Sequence, residues 1–330
     1  MPKSLVSRAR LVSLLEAVSA TPPRIAVVGD AMLDLYLKGD VDRISPEAPV
    51  PVVRVRERRY ALGGAANVTQ NVLAVGARCE LVAAVGRDSA GTQLRAMLAE
   101  RGAEPQGLVD CDRPTTTKTR VVARNQQVVR VDEEVDADFT GDEVAQLLAA
   151  VLRAVQAADA LILQDYNKGV LVPQVIRAAI DAAQAKGIPV VVDPKFRNFF
   201  EYRGCTIFKP NRRELESALG AAVNLDQPQA LPAVLARLEA EHLLLTLSEQ
   251  GMALISRDGS VARIPTAARE VYDVVGAGDT VSAYLAAMVA VKATPLEAAM
   301  IANLAAGVEV GKSGAATVSP PEVLEAYDAL

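Results

Sequence analysis

Six short apolar runs recur along the chain with helical stretches between them, and this alternation restricts the fold more than any other feature. Residues 25–28, 80–85, 160–163, 189–192, 206–208 and 242–247 are rich in branched side chains and too short for helices. Residues 92–101, 142–157, 172–186 and 214–219 carry helical patterns. Strands apolar at nearly every position have no solvent face. They predict an α/β protein of three layers, with a mostly parallel sheet covered by helices on both sides.

Two stretches break the rhythm. Val50-Pro-Val-Val-Arg-Val-Arg56 and Thr117-Lys-Thr-Arg-Val-Val-Ala-Arg124 alternate, and the second turns at Asn125-Gln-Gln127 and returns through Val128-Val-Arg-Val-Asp132. A period of two predicts half-exposed antiparallel strands, so inserts at about 39–61 and 108–135 form a small β lid projecting from the core. From about residue 273 the chain is Ala-rich and helical, with its longest periodic segments at 279–292 and 295–310.

Composition narrows the chemistry. The 330 residues include one His, His242, which rules out multi-histidine metal sites and leaves catalysis to carboxylates, lysines, hydroxyls and backbone amides. Thirty-five basic against forty acidic residues give no field for nucleic acid, and 4% aromatic content provides no stacking platform. Cys79, Cys111 and Cys205 lack metal or redox spacing and read as free thiols of a reducing compartment. The segment 11–20 resembles a signal peptide faintly, but Glu16 interrupts it and Leu11, Leu14, Leu15 and Val18 keep helical spacing. With no apolar run near eighteen residues, the expectation is a soluble, cytoplasmic protein without membrane contact.

Three motifs carry chemistry. Asp273-Val-Val-Gly276-Ala277-Gly278-Asp279 leads into a long helix. Its glycines let successive amides converge and the helix adds its positive end, which makes an anion hole with a carboxylate beside it. The competing reading is a helix start capped by Asp279. Gly63-Gly64-Ala-Ala-Asn67 is a second turn into a helix, permitting close ligand approach beside an amide suited to sugar hydroxyls. Lys209-Pro210-Asn211-Arg-Arg-Glu214 follows a strand, where open parallel sheets bind ligands. There Glu214 can hold magnesium through water, or simply complete a capping box with Asn211. The stretch 306–313 mimics a phosphate-binding P-loop, but Ala306 replaces the first glycine and no strand precedes it.

In this order the motifs resemble the ribokinase-like carbohydrate kinases of the PfkB family, from about residue 24 onward. The resemblance implies a ribokinase-like sandwich, one domain over 1–330, and ATP with Mg2+ acting on a sugar hydroxyl. It leaves open a monovalent cation such as K+. Gly29-Asp30-Ala-Met-Leu-Asp34, Arg43-Ile-Ser-Pro-Glu-Ala-Pro-Val-Pro-Val52, Asp165-Tyr166-Asn-Lys168-Gly169 and Val192-Asp193-Pro194-Lys195 look most like the heptose kinases of lipopolysaccharide biosynthesis. The implied acceptor is D-glycero-β-D-manno-heptose 7-phosphate, phosphorylated at the anomeric hydroxyl. Such kinases are often fused to a nucleotidyltransferase; this sequence is expected to be the stand-alone form.

The roles implied are residue by residue. Asp279 is the base, and the amides of residues 276–279 hold the phosphoryl group. Asp34, Asn67 and Asp193 hold the sugar, with Gly63 and Gly64 allowing close approach. Glu214 and Asn211 serve magnesium and ATP, while Ser248, Gly251, Asn303 and Gly307 line the nucleotide. Lys118, Arg120 and Lys195, with Arg87 or Lys168 as further candidates, meet the substrate phosphate, Lys195 and Arg120 being the preferred pair. The partners are ATP and a sugar phosphate, with a homodimer formed through the lid. One departure is Val275, where the family usually has Thr. The alternatives are a kinase for ribose, fructose or a fructose phosphate, and a non-catalytic sugar-phosphate sensor.

Overall fold

The computed structural model describes residues 6–124, 126–226 and 231–330. Its strands in chain order are β1 (Arg24–Gly29), β2 (Ala31–Ile44), β3 (Pro51–Gly64), β4 (Arg78–Gly86), β5 (Leu108–Cys111), β6 (Thr117–Ala123), β7 (Gln126–Glu133), β8 (Ala160–Gln164), β9 (Val190–Asp193), β10 (Ile207–Phe208), β11 (His242–Thr246), β12 (Met252–Ser256) and β13 (Val261–Ile264). The helices are α1 (Arg8–Ala20), α2 (Ala65–Val75), α3 (Ser89–Glu100), α4 (Gly141–Ala157), α5 (Pro173–Lys186), α6 (Arg212–Leu219), α7 (Leu231–Leu238), α8 (Ala277–Ala290), α9 (Pro295–Glu309) and α10 (Pro320–Asp328).

The main sheet runs β13-β12-β11-β10-β9-β8-β1-β4-β5 and is parallel from β11 to β5. Successive residues feed opposite cores. In β1, Ile25 and Val27 join the layer of α1, α2, α8 and α9, while Ala26 and Val28 join that of α4, α5 and α7. This confirms the three-layer expectation and explains why the strands read as unbroken apolar runs. The β12–β13 hairpin, antiparallel to β11, adds an edge that the sequence did not announce.

A second sheet, β3-β2-β6-β7, is the lid. Its strands differ from the expected inserts at both ends. β2 starts at Ala31 and β3 runs to Gly64, so the lid is rooted in the core, whereas Leu108–Cys111 pairs with β4 as the last strand of the main sheet. The turn expected at Asn125 lies outside the described residues. Direct cross-strand partners share a face, so Asp34, Tyr36, Arg59, Lys118 and Arg120 form one face and Leu35, Leu37, Tyr60, Val121 and Val129 the other. Arg59 Nη2 lies 3.6 Å from the point where a Cβ on Gly314 would stand, so the charged face is turned toward the body of the protein.

No helix of the described residues is long and apolar enough to cross a membrane. His242 bonds Ser256 at the start of β11, away from the strand ends that carry the site, and burial lowers its pKa. The three cysteines are buried and free.

Candidate active site

The carboxyl ends of β1, β8, β9 and β10 lie side by side, and beyond them sits the first turn of α8. β1 is also where the strand order reverses, the place where open α/β sheets bind ligands. Gly276 caps α8 with φ of 102°, a left-handed conformation that side chains rarely adopt. The first-turn amides of Gly278 and Asp279 have no partner inside the helix, whereas that of Ala277 leans back to the Val274 carbonyl at 3.5 Å. A Cβ on Gly278 would meet nothing closer than Lys209 Nζ at 3.8 Å and Asp193 Oδ2 at 3.9 Å, so the turn opens onto that pair.

Asp279 is buried at the centre of converging donors. Asn67 Nδ2 donates to its Oδ2 at 2.6 Å, and Tyr166 Oη and Gln164 Nε2 donate to its Oδ1 at 2.8 and 3.1 Å. Burial pushes its pKa up to about 6, with the Asn67 and Tyr166 hydrogen bonds opposing the shift and the charge of Asp193 adding to it. A base poised there is ionised at neutral pH yet basic enough to take a hydroxyl proton. The N-cap alternative for this carboxylate is not realised, since Gly276 caps the helix without any side-chain bond.

Beside it, Asp193 accepts from Gln164 Nε2 and Lys209 Nζ, both at 2.9 Å, so one amide bridges two carboxylates. Gln164 Oε1 is buried with no hydrogen-bond partner, an acceptor left over at the centre of the site. Gln164, Tyr166 and Lys209 received no role from the sequence. Their signal was position alone: each stands at or just past the end of a strand.

The other expected residues divide. Asn67 is engaged at both ends, its Oδ1 accepting from Gln70 at 2.5 Å and one Nδ2 hydrogen donated to Asp279, which leaves the second Nδ2 hydrogen for an acceptor. It holds the Asp279 carboxylate in place. Gly64 (φ 56°) and Gly63 are demanded by packing, since Cβ atoms there would meet the Asp30 carbonyl at 2.3 Å and the Met32 side chain at 2.7 Å. Asp30 in turn accepts from the amides of Tyr166, Lys168 and Val170 at 2.8–3.1 Å, pinning the loop that presents Tyr166.

Asp34 accepts from Arg120 Nη1 at 2.6 Å, and Lys118 pairs with Asp132 and Glu134 at 3.1 and 2.9 Å. Lys168 also pairs with Glu134, and exposed Arg87 with Asp112. Lys195 does not join Arg120: it extends from the loop after β9 and forms an ion pair with Glu214. The preferred pair thus stands on different elements, Arg120 on the lid and Lys195 after β9, where its ammonium lies 5.4 Å over the Tyr166 ring.

Glu214 and Asn211 make the capping box, each accepting from the other's backbone N–H at 2.8 Å. Both Glu214 oxygens are therefore engaged, which fits contact with magnesium through water and not direct ligation. Among the described residues no group of three or more His, Cys, Asp or Glu is gathered to hold a metal. Asn303 donates to the Pro265 carbonyl at 2.9 Å, and a Cβ on Gly307 would strike Ala267 at 2.8 Å, so both hold the segment after β13 against α9. Gly251 is likewise fixed by packing (φ 84°, with the Ile264 carbonyl 2.1 Å from its Cβ position), while Ser248 is exposed at the end of β11.

Comparison with known proteins is consistent with this geometry. The family model described as pfkB family carbohydrate kinase matches residues 22–322. The chain belongs to the pfkB family of carbohydrate kinases. The bifunctional protein HldE of Gluconacetobacter diazotrophicus is 47% identical over 308 residues, covering 92% of this chain and 64% of the relative. That of Caulobacter vibrioides is 47% identical over 305 residues, covering 91% and 62%. The chain thus spans a little under two thirds of the curated relatives it matches. Among solved structures, Arabidopsis thaliana ribokinase complexed with ribose and ATP aligns with a TM-score of 0.74 at 20% identity, over 93% of this chain and 99% of that one. Phosphofructokinase-2 from Escherichia coli in complex with potassium aligns with a TM-score of 0.77 at 19% identity, over 93% and 99%. At that identity they establish the ribokinase-like fold. Ribokinase-like kinases in general use ATP with Mg2+.

Taking Asp279 as the base, the role the resemblance implies, this pfkB kinase should show an acid limb. Below about pH 6 kcat is expected to fall roughly tenfold per pH unit as the base takes up its proton. Tyr166→Phe removes a hydrogen bond that favours the ionised form, so the limb should move to higher pH. A pH–rate profile of both proteins checks the shift.

Proposed function

We propose that this kinase phosphorylates the anomeric hydroxyl of D-glycero-β-D-manno-heptose 7-phosphate, in a single domain with the β lid over the acceptor. The observation that carries the reading is a buried carboxylate, Asp279, on the same helix turn as free amides and next to the Asp193–Lys209 pair. Base and phosphoryl seat are thereby held within one turn, the arrangement in-line transfer requires. The heptose assignment is supported by the resemblance of residues 29–34, 43–52, 165–169 and 192–195 and by relatives named as bifunctional HldE.

In this reading Asp279 Oδ takes the hydroxyl proton while Asn67, Tyr166 and Gln164 hold the carboxylate in place. The amides of Gly278 and Asp279 and the ammonium of Lys209 face the transferring oxygens. Glu214 and Asp193 are the carboxylates that would stand nearest the magnesium brought by ATP, an ion that would offset phosphate charge, and a monovalent cation such as K+ is a further cofactor of the proposal. Asp34, held by Arg120, binds acceptor hydroxyls from the lid.

Arg120 is the cation for the acceptor phosphate, and its guanidinium also lies 5.2 Å over the Tyr36 ring. Arg120→Gln is expected to raise KM for the phosphorylated acceptor roughly 10–100-fold, the worth of one charged hydrogen bond, and to leave KM for ATP within about twofold. Equal effects on both substrates would remove Arg120 from the acceptor site. The reading as a whole is tested by ADP release with heptose 7-phosphate, ribose, fructose and fructose 1-phosphate as acceptors. Preference for a neutral sugar would overturn the heptose assignment, and binding without ADP release would favour a sensor.

Two further parts belong to this reading. The outer lid face exposes Tyr60, Val129 and Val131 at 40, 47 and 50%, an apolar strip that supports a homodimer formed lid to lid. ATP supply favours the cytoplasm.

A further inference from the structure

One carboxyl group lies beneath the anion-hole turn and has no part in the reaction described above. Glu309, the last residue of α9, is fully buried, and neither of its carboxyl oxygens makes a hydrogen bond of ordinary geometry, the Ala316 amide being the one donor that approaches. Its Oε1 lies 3.0 Å from the point where a Cβ on Gly276 would stand, next to Asn67 Nδ2 at 3.2 Å and Ala315 Cα at 3.3 Å. The group therefore packs directly under the residue whose left-handed backbone aims the amides of α8.

Its surroundings disfavour a charge there. Burial acts first, and Asp273 in the segment before the turn and Asp279 on α8 repel a second negative charge. On the other side the amide of Ala316 and the ammonium of Lys312 favour the charge. Lys312 is committed elsewhere, to Glu322 at 2.5 Å and to the Thr317 carbonyl at 2.8 Å. From α2 the facing group is the neutral amide of Asn67, itself bonded to Gln70. Together these push the Glu309 carboxyl up to about 8.

We propose that Glu309 is a positioning residue for phosphoryl transfer that supports the reaction in its protonated form. Uncharged, its carboxyl fills the space under Gly276 and leaves the amides of the turn free to attract phosphoryl oxygens. Ionised, it sets a negative charge behind the same turn and opposes the incoming phosphate. The proposal rests on the reading of residues 276–279 as the phosphoryl seat.

The test compares wild type with the isosteric Glu309→Gln in two measurements. Above pH about 8 the wild-type kcat should fall roughly tenfold per unit, while Glu309→Gln stays within about twofold of its own neutral rate to pH about 9.5. Melting temperatures give an arm that needs no acceptor. A folded-state pKa above the unfolded value makes stability fall as pH rises from about 4.5 to about 8, so the advantage of Glu309→Gln over wild type should widen across that window and level off above it. The same alkaline limb in both proteins, or a melting difference flat in pH, would overturn the proposal. So would a limb that potassium chloride moves in wild type and not in Glu309→Gln, which would make a bound cation the neutralising partner. If neither protein turns over the acceptor at any pH, the acceptor assignment is at fault and the melting difference alone decides.

Discussion

Asp279→Asn is expected to lower kcat by about 10²–10⁴-fold, the usual worth of a positioned base, with KM for ATP and acceptor changed little. The stability of this variant should move the other way. The Asp279 carboxyl titrates near 6 in the fold against 3.8 as its ordinary value, so above that window the ionised group is a burden on the folded state. At neutral pH the Asn variant should therefore melt no lower than wild type. Turnover and melting measured on one preparation check both halves. A variant that keeps near-native turnover with substrates bound would remove Asp279 from proton transfer.

Gly276→Ala has the second largest expected effect. The φ of 102° is strained for any side chain, and the added Cβ would meet Glu309 Oε1 at 3.0 Å and Asn67 Nδ2 at 3.2 Å. The turn must shift, and with it the amides and the Asn67 clamp on the base. Loss of oriented donors of this kind costs about 10²–10³-fold in kcat. The strained conformation adds about 1–3 kcal/mol of destabilisation, seen as a lower melting temperature. Gly278→Ala is the contrast, since its Cβ has no neighbour nearer than 3.8 Å and its melting temperature should stay close to that of wild type. Equal melting of the Gly276 and Gly278 variants would show that the left-handed turn is not what fixes the anion hole.

The layered core was legible because strands covered on both faces must be apolar at every step, as Ile25, Ala26, Val27 and Val28 are. The β5 strand was not, because four residues of which Asp110 is one carry too little pattern to separate from the lid that follows. The site followed the same rule. Asp279 and Glu214 stood in motifs with local spacing, so their positions could be read. Tyr166, Gln164 and Lys209 converge on the site from β8 and β10 through tertiary folding, and no local spacing in the sequence records that approach. Asn67 stood in a motif with local spacing too, but its contacts with Gln70 and Asp279 at the two ends of one amide arise only in three dimensions.

The rooting of the lid has a mechanical consequence. β2 leaves the core at Ala31 and continues to Ile44, so at about 3.3 Å per residue Asp34 lies about 10 Å from the root and the tip about 43 Å from it. A paired ribbon anchored at Ala31 and Gly64 works as a lever with a short inner arm. A swing of about 4 Å at the tip then moves Asp34 by about 1 Å, a displacement of the size that costs an enzyme about 10²-fold. In the proposed reading, in which Asp34 meets the acceptor, whatever grips the outer end of the ribbon adjusts that contact from a distance.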